Sequence, residues 1–139
     1  MNDAVLPYLR CPNCWLPLAN AGAALRCPRG HSFDLARHGY AALLTGGRRH
    51  AGDSAAMVAD RAAFLAAGHY AFVADGLAAA APAGSPLVVD AGTGTGYYLA
   101  RVLNALHGAA GVGVDVATAA VRRAARAHPR ATAVLADVW

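Results

Sequence analysis

Cys11 and Cys14 are separated by two residues, Cys27 and His31 by three, and twelve residues lie between the pairs. Three thiols and an imidazole at this spacing are the donor set that zinc takes in a tetrahedron. Pro12 stiffens the first turn, Pro28 and Gly30 shape the second, and Leu18 to Leu25 can form a hairpin between them. Four ligands close the coordination sphere, so the expected Zn2+ is structural and folds a segment too small to hold a core. An odd number of cysteines without a secretory leader argues against a disulfide scaffold.

A second group of residues suits a small-molecule cofactor. Asp90-Ala91-Gly92-Thr93-Gly94-Thr95-Gly96 follows an apolar run and precedes a helical pattern. Glycines allow close approach of backbone to ligand and positive φ. Their G-x-G-x-G alternation differs from the G-x-G-x-x-G dinucleotide fingerprint. A carboxylate at Asp90 suits the ammonium of a methionine moiety and would repel a pyrophosphate. Asp115 can accept both ribose hydroxyls of an adenosine, and Asp137 can bond the adenine amino group. Together these point to S-adenosylmethionine rather than NAD, with an unliganded sheet in which Asp90 and Asp115 merely cap helices as the plain alternative.

The elements that must position these groups differ along the chain. Residues 1–47 are rich in Pro, Gly, Cys and His and read as a turn-built zinc ribbon, and Gly46 to Gly52 as a flexible basic link. Residues 48–84 form a helical connector. Asp53 or Ser54 caps a first helix carrying Met57, Val58, Phe64 and Leu65, which Gly68 ends. A second helix opens at His69 and Tyr70, with Phe72, Val73 and Leu77 as its expected buried face, and breaks at Pro82. Residues 85–139 alternate strand, helix, strand, helix, strand: Leu87–Val89, Tyr97–Leu106, Gly111–Val114, Ala117–His128 and Ala131–Ala136. That is the start of a parallel, doubly wound α/β sheet. A complete Rossmann-like domain needs more strands, so the first part of a longer protein is expected.

The 139 residues include no run of about 18 apolar residues that would span a membrane, and Met1 to Arg10 lack the pattern of a signal peptide, so a soluble, cytoplasmic protein is expected. All 12 basic residues are Arg and all 8 acidic ones are Asp, with a formal charge of +4. An Arg-rich balance favours a polyanionic partner, because the guanidinium fork matches phosphate oxygens. Arg10, Arg26, Arg29, Arg37, Arg48 and Arg49 crowd the ribbon and its link, where each taken alone reads as solvating a small domain.

Cys11-Pro12-Asn13-Cys14, Cys27 to His31 with Ser32-Phe33-Asp34, Gly39-Tyr40 and Leu43-Leu44 recur in one known family. So do Gly52 to Met57, Arg61, Phe64-Leu65, Gly68-His69-Tyr70 and Asp90 to Tyr98. Over nearly its whole length the chain resembles the zinc-ribbon-bearing 23S rRNA (guanine-N1)-methyltransferases, which include housekeeping and macrolide-resistance enzymes. The resemblance implies zinc at Cys11, Cys14, Cys27 and His31, and cofactor contacts at Tyr70, Gly94 and Thr95. It also implies a 23S rRNA stem-loop as partner, whose backbone the ribbon's Arg residues could grip while exposed Trp15 and Tyr40 stack on splayed bases, and a homodimer. Many members carry Cys and Glu between the loop glycines where this chain has Thr93 and Thr95. Backbone contacts survive that change. The methylated N1 lies on the pairing edge of guanine, so the base must be unpaired or flipped; no residue is assigned as general base. Two other readings stay open: an RNA-binding zinc ribbon without catalysis, and a zinc-bearing methyltransferase acting on a protein or small molecule.

Overall fold

The structure, a computed structural model, describes residues 1–45 and 52–138; the expected basic link at 46–51 lies outside the described residues. After a 3-10 turn at Asp3–Tyr8 the chain makes a small antiparallel ribbon of β1 (Ala19–Asn20), β2 (Ala24–Arg26) and β3 (Ser32–Asp34), in that order. The hairpin expected between the ligand pairs is β1–β2. Leu25 and Phe33 face each other across β2 and β3 and are both buried, while their neighbours Arg26, Ser32 and Asp34 point outward, the period-two alternation of a one-sided sheet.

A second sheet holds β4 (Tyr40–Ala42), β5 (Leu87–Ala91), β6 (Ala110–Asp115) and β7 (Ala131–Leu135) in the order β4-β7-β6-β5, every pair parallel. Its faces are covered by different parts of the chain. Helices α3 (Tyr97–Ala105) and α4 (Thr118–Ala124) cover one, with Leu99, Val102 and Leu103 against Ala131 and Val88, and Val121 and Ala124 against Ala133 and Leu135. The ribbon covers the other: Val5, Leu9, Leu18, Leu25 and Phe33 share one core with Ala110, Val112 and Val134. Parallel strands are buried on both faces, and here the ribbon supplies the second cover. Arg130 closes the α3 end, its guanidinium donating to the carbonyls of Leu103, Leu106 and Ala109.

The sheet draws on residues from both sides of the boundary expected at 47. β4 belongs to it, with Ala41 opposite Val134, and covers the edge that β7 would otherwise leave unpaired. Tyr40, expected to be exposed, is therefore buried against Val121 and Ala124.

The connector forms α1 (Ala55–Ala66) and α2 (Ala71–Ala80). Ser54 caps α1 by accepting the Met57 N–H at 3.2 Å, and Gly68, at φ +84°, ends it. The expected inner face of α2 is corrected: Phe72 and Leu77 are exposed, and Ala74 is the buried residue. Ala74, Ala78 and Ala81 recur at helical spacing, and the last two pack on the α3 core, so small side chains rather than large ones make the seam. No single helix among the described residues is long and apolar enough to cross a membrane.

Candidate functional site

Because all four strands run parallel, their C-terminal ends lie along one edge of the sheet, where open α/β folds bind ligands. The glycine loop sits there. After β5 the chain turns through Gly92, Gly94 and Gly96, all at positive φ, and the N–H groups of Gly92 and Thr93 donate to Val114 O at 2.8 and 2.9 Å. Asp115, ending β6, braces the same loop: its Oδ2 accepts the Gly94 N–H at 2.9 Å and its Oδ1 the Ala117 N–H at 2.8 Å. A Cβ at Gly113 would lie 2.8 Å from Thr93 Oγ1, so only glycine leaves room for the buried threonine.

Thr93 donates its hydroxyl to Asp90 Oδ2 at 2.8 Å. Burial pushes the Asp90 carboxyl above its ordinary range; the Thr93 hydroxyl opposes that shift and the nearby Asp115 charge adds to it. The hydroxyl at 93 thus has a role of its own, supporting a carboxylate that burial disfavours.

Facing the loop are Arg61, Phe64 and Leu65 of α1 and Tyr70 before α2, with Tyr97 and Tyr98 closing one end. They enclose a cleft of about 280 Å³ together with Gly92, Thr93, Gly94 and Thr95, close to the lower limit for small-molecule sites. The Tyr70 ring is half exposed and lies 5.5 Å from that of Phe64. Arg61 is paired with Asp53 at 3.1 Å. Of the expected cofactor residues, Tyr70, Gly92, Gly94 and Thr95 line this cleft, Asp90, Gly96 and Asp115 shape the loop behind it, and Asp137 lines a separate cleft with Arg10 and Trp15.

The residues expected to bind metal converge as well. One donor atom from each of Cys11, Cys14, Cys27 and His31 lies within 4.8 Å of all the others. Cys14 Sγ and Cys27 Sγ are 3.6 Å apart, and His31 Nδ1 is 3.5 Å from Cys11 Sγ and 3.4 Å from Cys27 Sγ. A zinc tetrahedron has S–S edges of about 3.8 Å and S–N edges of about 3.6 Å, so these residues fit the ion. Burial pushes the Cys27 thiol up, but backbone hydrogen bonds at His31 and Arg29 and the thiols of Cys14 and Cys11 outweigh it, bringing it down to about 6. Thiolate is the form that binds metal.

The chain is similar to known proteins. Residues 9–51 match the family model described as the N-terminal zinc ribbon of RlmA. The whole chain is 51% identical, over 160 residues, to the "Putative 23S rRNA (guanine-N(1)-)-methyltransferase" of Micromonospora griseorubida, covering 54% of that protein. It is also 51% identical to the 23S rRNA (guanine(748)-N(1))-methyltransferase of Streptomyces fradiae, covering 51% of it. Over its full length the chain is therefore similar to about half of two 23S rRNA (guanine-N1)-methyltransferases, and its first part to the RlmA zinc ribbon. It spans about half the length of the curated relatives it matches.

Within this chain, reasoning from the sequence left several cleft residues without a role. Arg61, Phe64 and Leu65 fall at i, i+3 and i+4 on α1, so one helical face meets the glycine loop. That spacing was the available signal, but the same pattern also fits core packing. Tyr97 and Tyr98, directly after Gly96, are placed at the cleft by the turn into α3.

Proposed function

We propose that this chain binds S-adenosylmethionine and zinc as part of an enzyme that methylates N1 of a guanine in a 23S rRNA hairpin. The observation that carries the reading is the single cleft shared by Tyr70 and the Gly92–Thr95 loop at the C-terminal edge of the sheet. The bound cofactor supplies a sulfonium-activated methyl group, so what remains for the protein is alignment of donor and acceptor. Gly94 and Thr95 let backbone approach the donor, and Tyr70 walls it from the opposite side. Asp90 holds the methionine ammonium. Asp115 keeps lone pairs for the ribose hydroxyls after accepting its two backbone N–H groups. Asp137 is left out of the adenine contact, because it lines the other cleft.

Cys11, Cys14, Cys27 and His31 hold a structural zinc, and their ribbon carries exposed Arg10, Arg26 and Arg29 toward the RNA backbone. The resemblance also supports a homodimer and a cytoplasmic location.

Calorimetry of the zinc-loaded chain tests the cofactor: binding of S-adenosylmethionine, competed by S-adenosylhomocysteine and not by NAD, is expected. Labelled cofactor with naked 23S rRNA tests the acceptor. N1 methylation blocks base pairing, so a reverse-transcription stop at one guanine is the expected signature. Label found only in protein or small molecules would sink the RNA reading.

A further inference from the structure

Trp15 is the only non-glycine residue at positive φ among the described residues, at +60°, and its side chain is 79% exposed. The turn that aims Cys11 and Cys14 at one ion sets this conformation. Both the Cys14 and the Trp15 N–H donate to Cys11 O, at 3.3 and 2.8 Å. Glycine or asparagine would meet the left-handed backbone at lower steric cost. A bulky indole raises that cost, and an exposed ring recovers little of it through packing. A strained residue kept where strain is avoidable points to a task outside the chain.

Trp15 stands on one wall of a cleft of about 580 Å³, with Arg10, Leu43, Thr45 and Val138 among the other lining residues. Arg10 Nη1 donates to Pro7 O at 2.7 Å and Leu9 O at 2.9 Å, which holds the side chain of a residue lining the same cleft as Trp15. Exposed Arg10, Arg26, Arg29 and Arg37 outnumber Asp3 and Asp34 on the first 45 residues. An exposed aromatic ring that shares a cleft with a guanidinium group is a pairing that single-stranded nucleic acid takes, base on ring and phosphate on cation. A protein partner has no such need for cations. We propose that Trp15 is a stacking platform for an unpaired nucleobase. The proposal rests on the RNA reading above and assigns a specific contact within it. The cleft opens at the C-terminal ends of β4 and β7, and the cofactor loop follows β5 on the same edge. Three strand spacings, about 14 Å, separate β4 from β5, a distance that one RNA loop spans.

Trp139→Phe leaves Trp15 as the sole indole of a chain with two tryptophans. Titrating this zinc-loaded variant with an unpaired RNA decamer, and with its duplex, reads stacking as fluorescence quenching. Saturable quenching by the single strand alone is expected. In the parent sequence, Trp15→Gly and Trp15→Asn should retain zinc and bind the single strand about tenfold more weakly, while Trp15→Phe stays close to the parent. If Trp15→Gly and Trp15→Asn bind as tightly as the parent, the stacking role is overturned and the RNA reading stands. If the parent binds neither RNA, both fall, and the indole faces a protein instead.

Discussion

Asp115 holds Gly94 from behind, its Oδ2 accepting the Gly94 N–H at 2.9 Å while Oδ1 accepts that of Ala117 at 2.8 Å. One carboxylate therefore links the middle of the glycine loop to the turn that leads into α4. Alanine leaves both N–H groups without this acceptor, and asparagine turns an NH2 group toward one of them. Asp115→Ala should cost about 1.5–3 kcal/mol of stability, the range for hydrogen bonds to a charged group. Chemical denaturation measures that cost. Calorimetry with S-adenosylmethionine should show a further loss of at least tenfold in affinity, since the same residue serves the ribose in the proposed site.

Asp90 should show opposite signs in stability and in binding. Burial, with the Asp115 charge adding to it and the Thr93 hydroxyl opposing, raises its carboxyl above the ordinary value of 3.8. A raised folded-state pKa favours the protonated form, so this contribution to stability is fully present at pH below the ordinary value. It is lost as pH rises through the raised one. Asp90→Asn removes the ionisation and keeps an acceptor for Thr93. The variant should melt above the parent at pH 7, and the difference should shrink as the pH falls. Binding behaves the other way. The methionine ammonium needs the carboxylate, so parental affinity falls on acidification through the raised pKa, and Asp90→Asn binds weakly at every pH. Equal affinity of parent and variant at pH 7 would remove Asp90 from the cofactor site.

The metal cluster and the loop were legible because chemistry fixes their spacing: two ligand pairs must turn toward one ion, and glycines must alternate to reach a ligand. β4 was not legible. Tyr40-Ala41-Ala42 is too short to carry a period, and its place depends on pairing with β7 at the far end of the chain. The α2 seam was misread for a different reason. Phe72 and Leu77 look like core residues by hydrophobicity alone, yet close approach to α3 is made by alanines, which contribute little to an apolar pattern. Asp137 follows a strand as expected, but whether it meets the cofactor depends on how the ribbon and sheet close around it.

Zinc removal should be felt well beyond the ribbon. Cys11 and Cys27 lie in the same core as Val112 and Val134 of the sheet, so two of the proposed ligands and one face of the parallel sheet share a single apolar cluster. A strong chelator should release more than a local turn. Binding of an apolar dye should rise as that face is uncovered, and stability should fall by about 5 kcal/mol or more, since zinc binding is linked to folding of its site. Cys14→Ser should reproduce the effect in part. A two-step melt, with the sheet transition unmoved by chelator, would show that ribbon and sheet fold independently.

Arg130 tests whether geometry or charge closes α3. Its Nη1 donates to Leu106 O at 2.7 Å and Ala109 O at 2.8 Å, and its Nη2 donates to Leu103 O. Helix C-termini leave carbonyls without intrahelical donors, and here one planar guanidinium, just before β7, serves those of Leu103 and the C-cap Leu106 together with Ala109 O in the turn beyond. Arg130→Met should lose about 2–3 kcal/mol, or roughly 5–10 °C in melting temperature for a domain of this size. Arg130→Lys separates the two causes. A lysine keeps the positive charge near the negative end of the helix dipole, but a single ammonium cannot reproduce the fork. If the fork matters, lysine recovers less than half of the loss in thermal melts. Full recovery would mean that charge alone closes the helix, and that the bonding pattern around Arg130 contributes little.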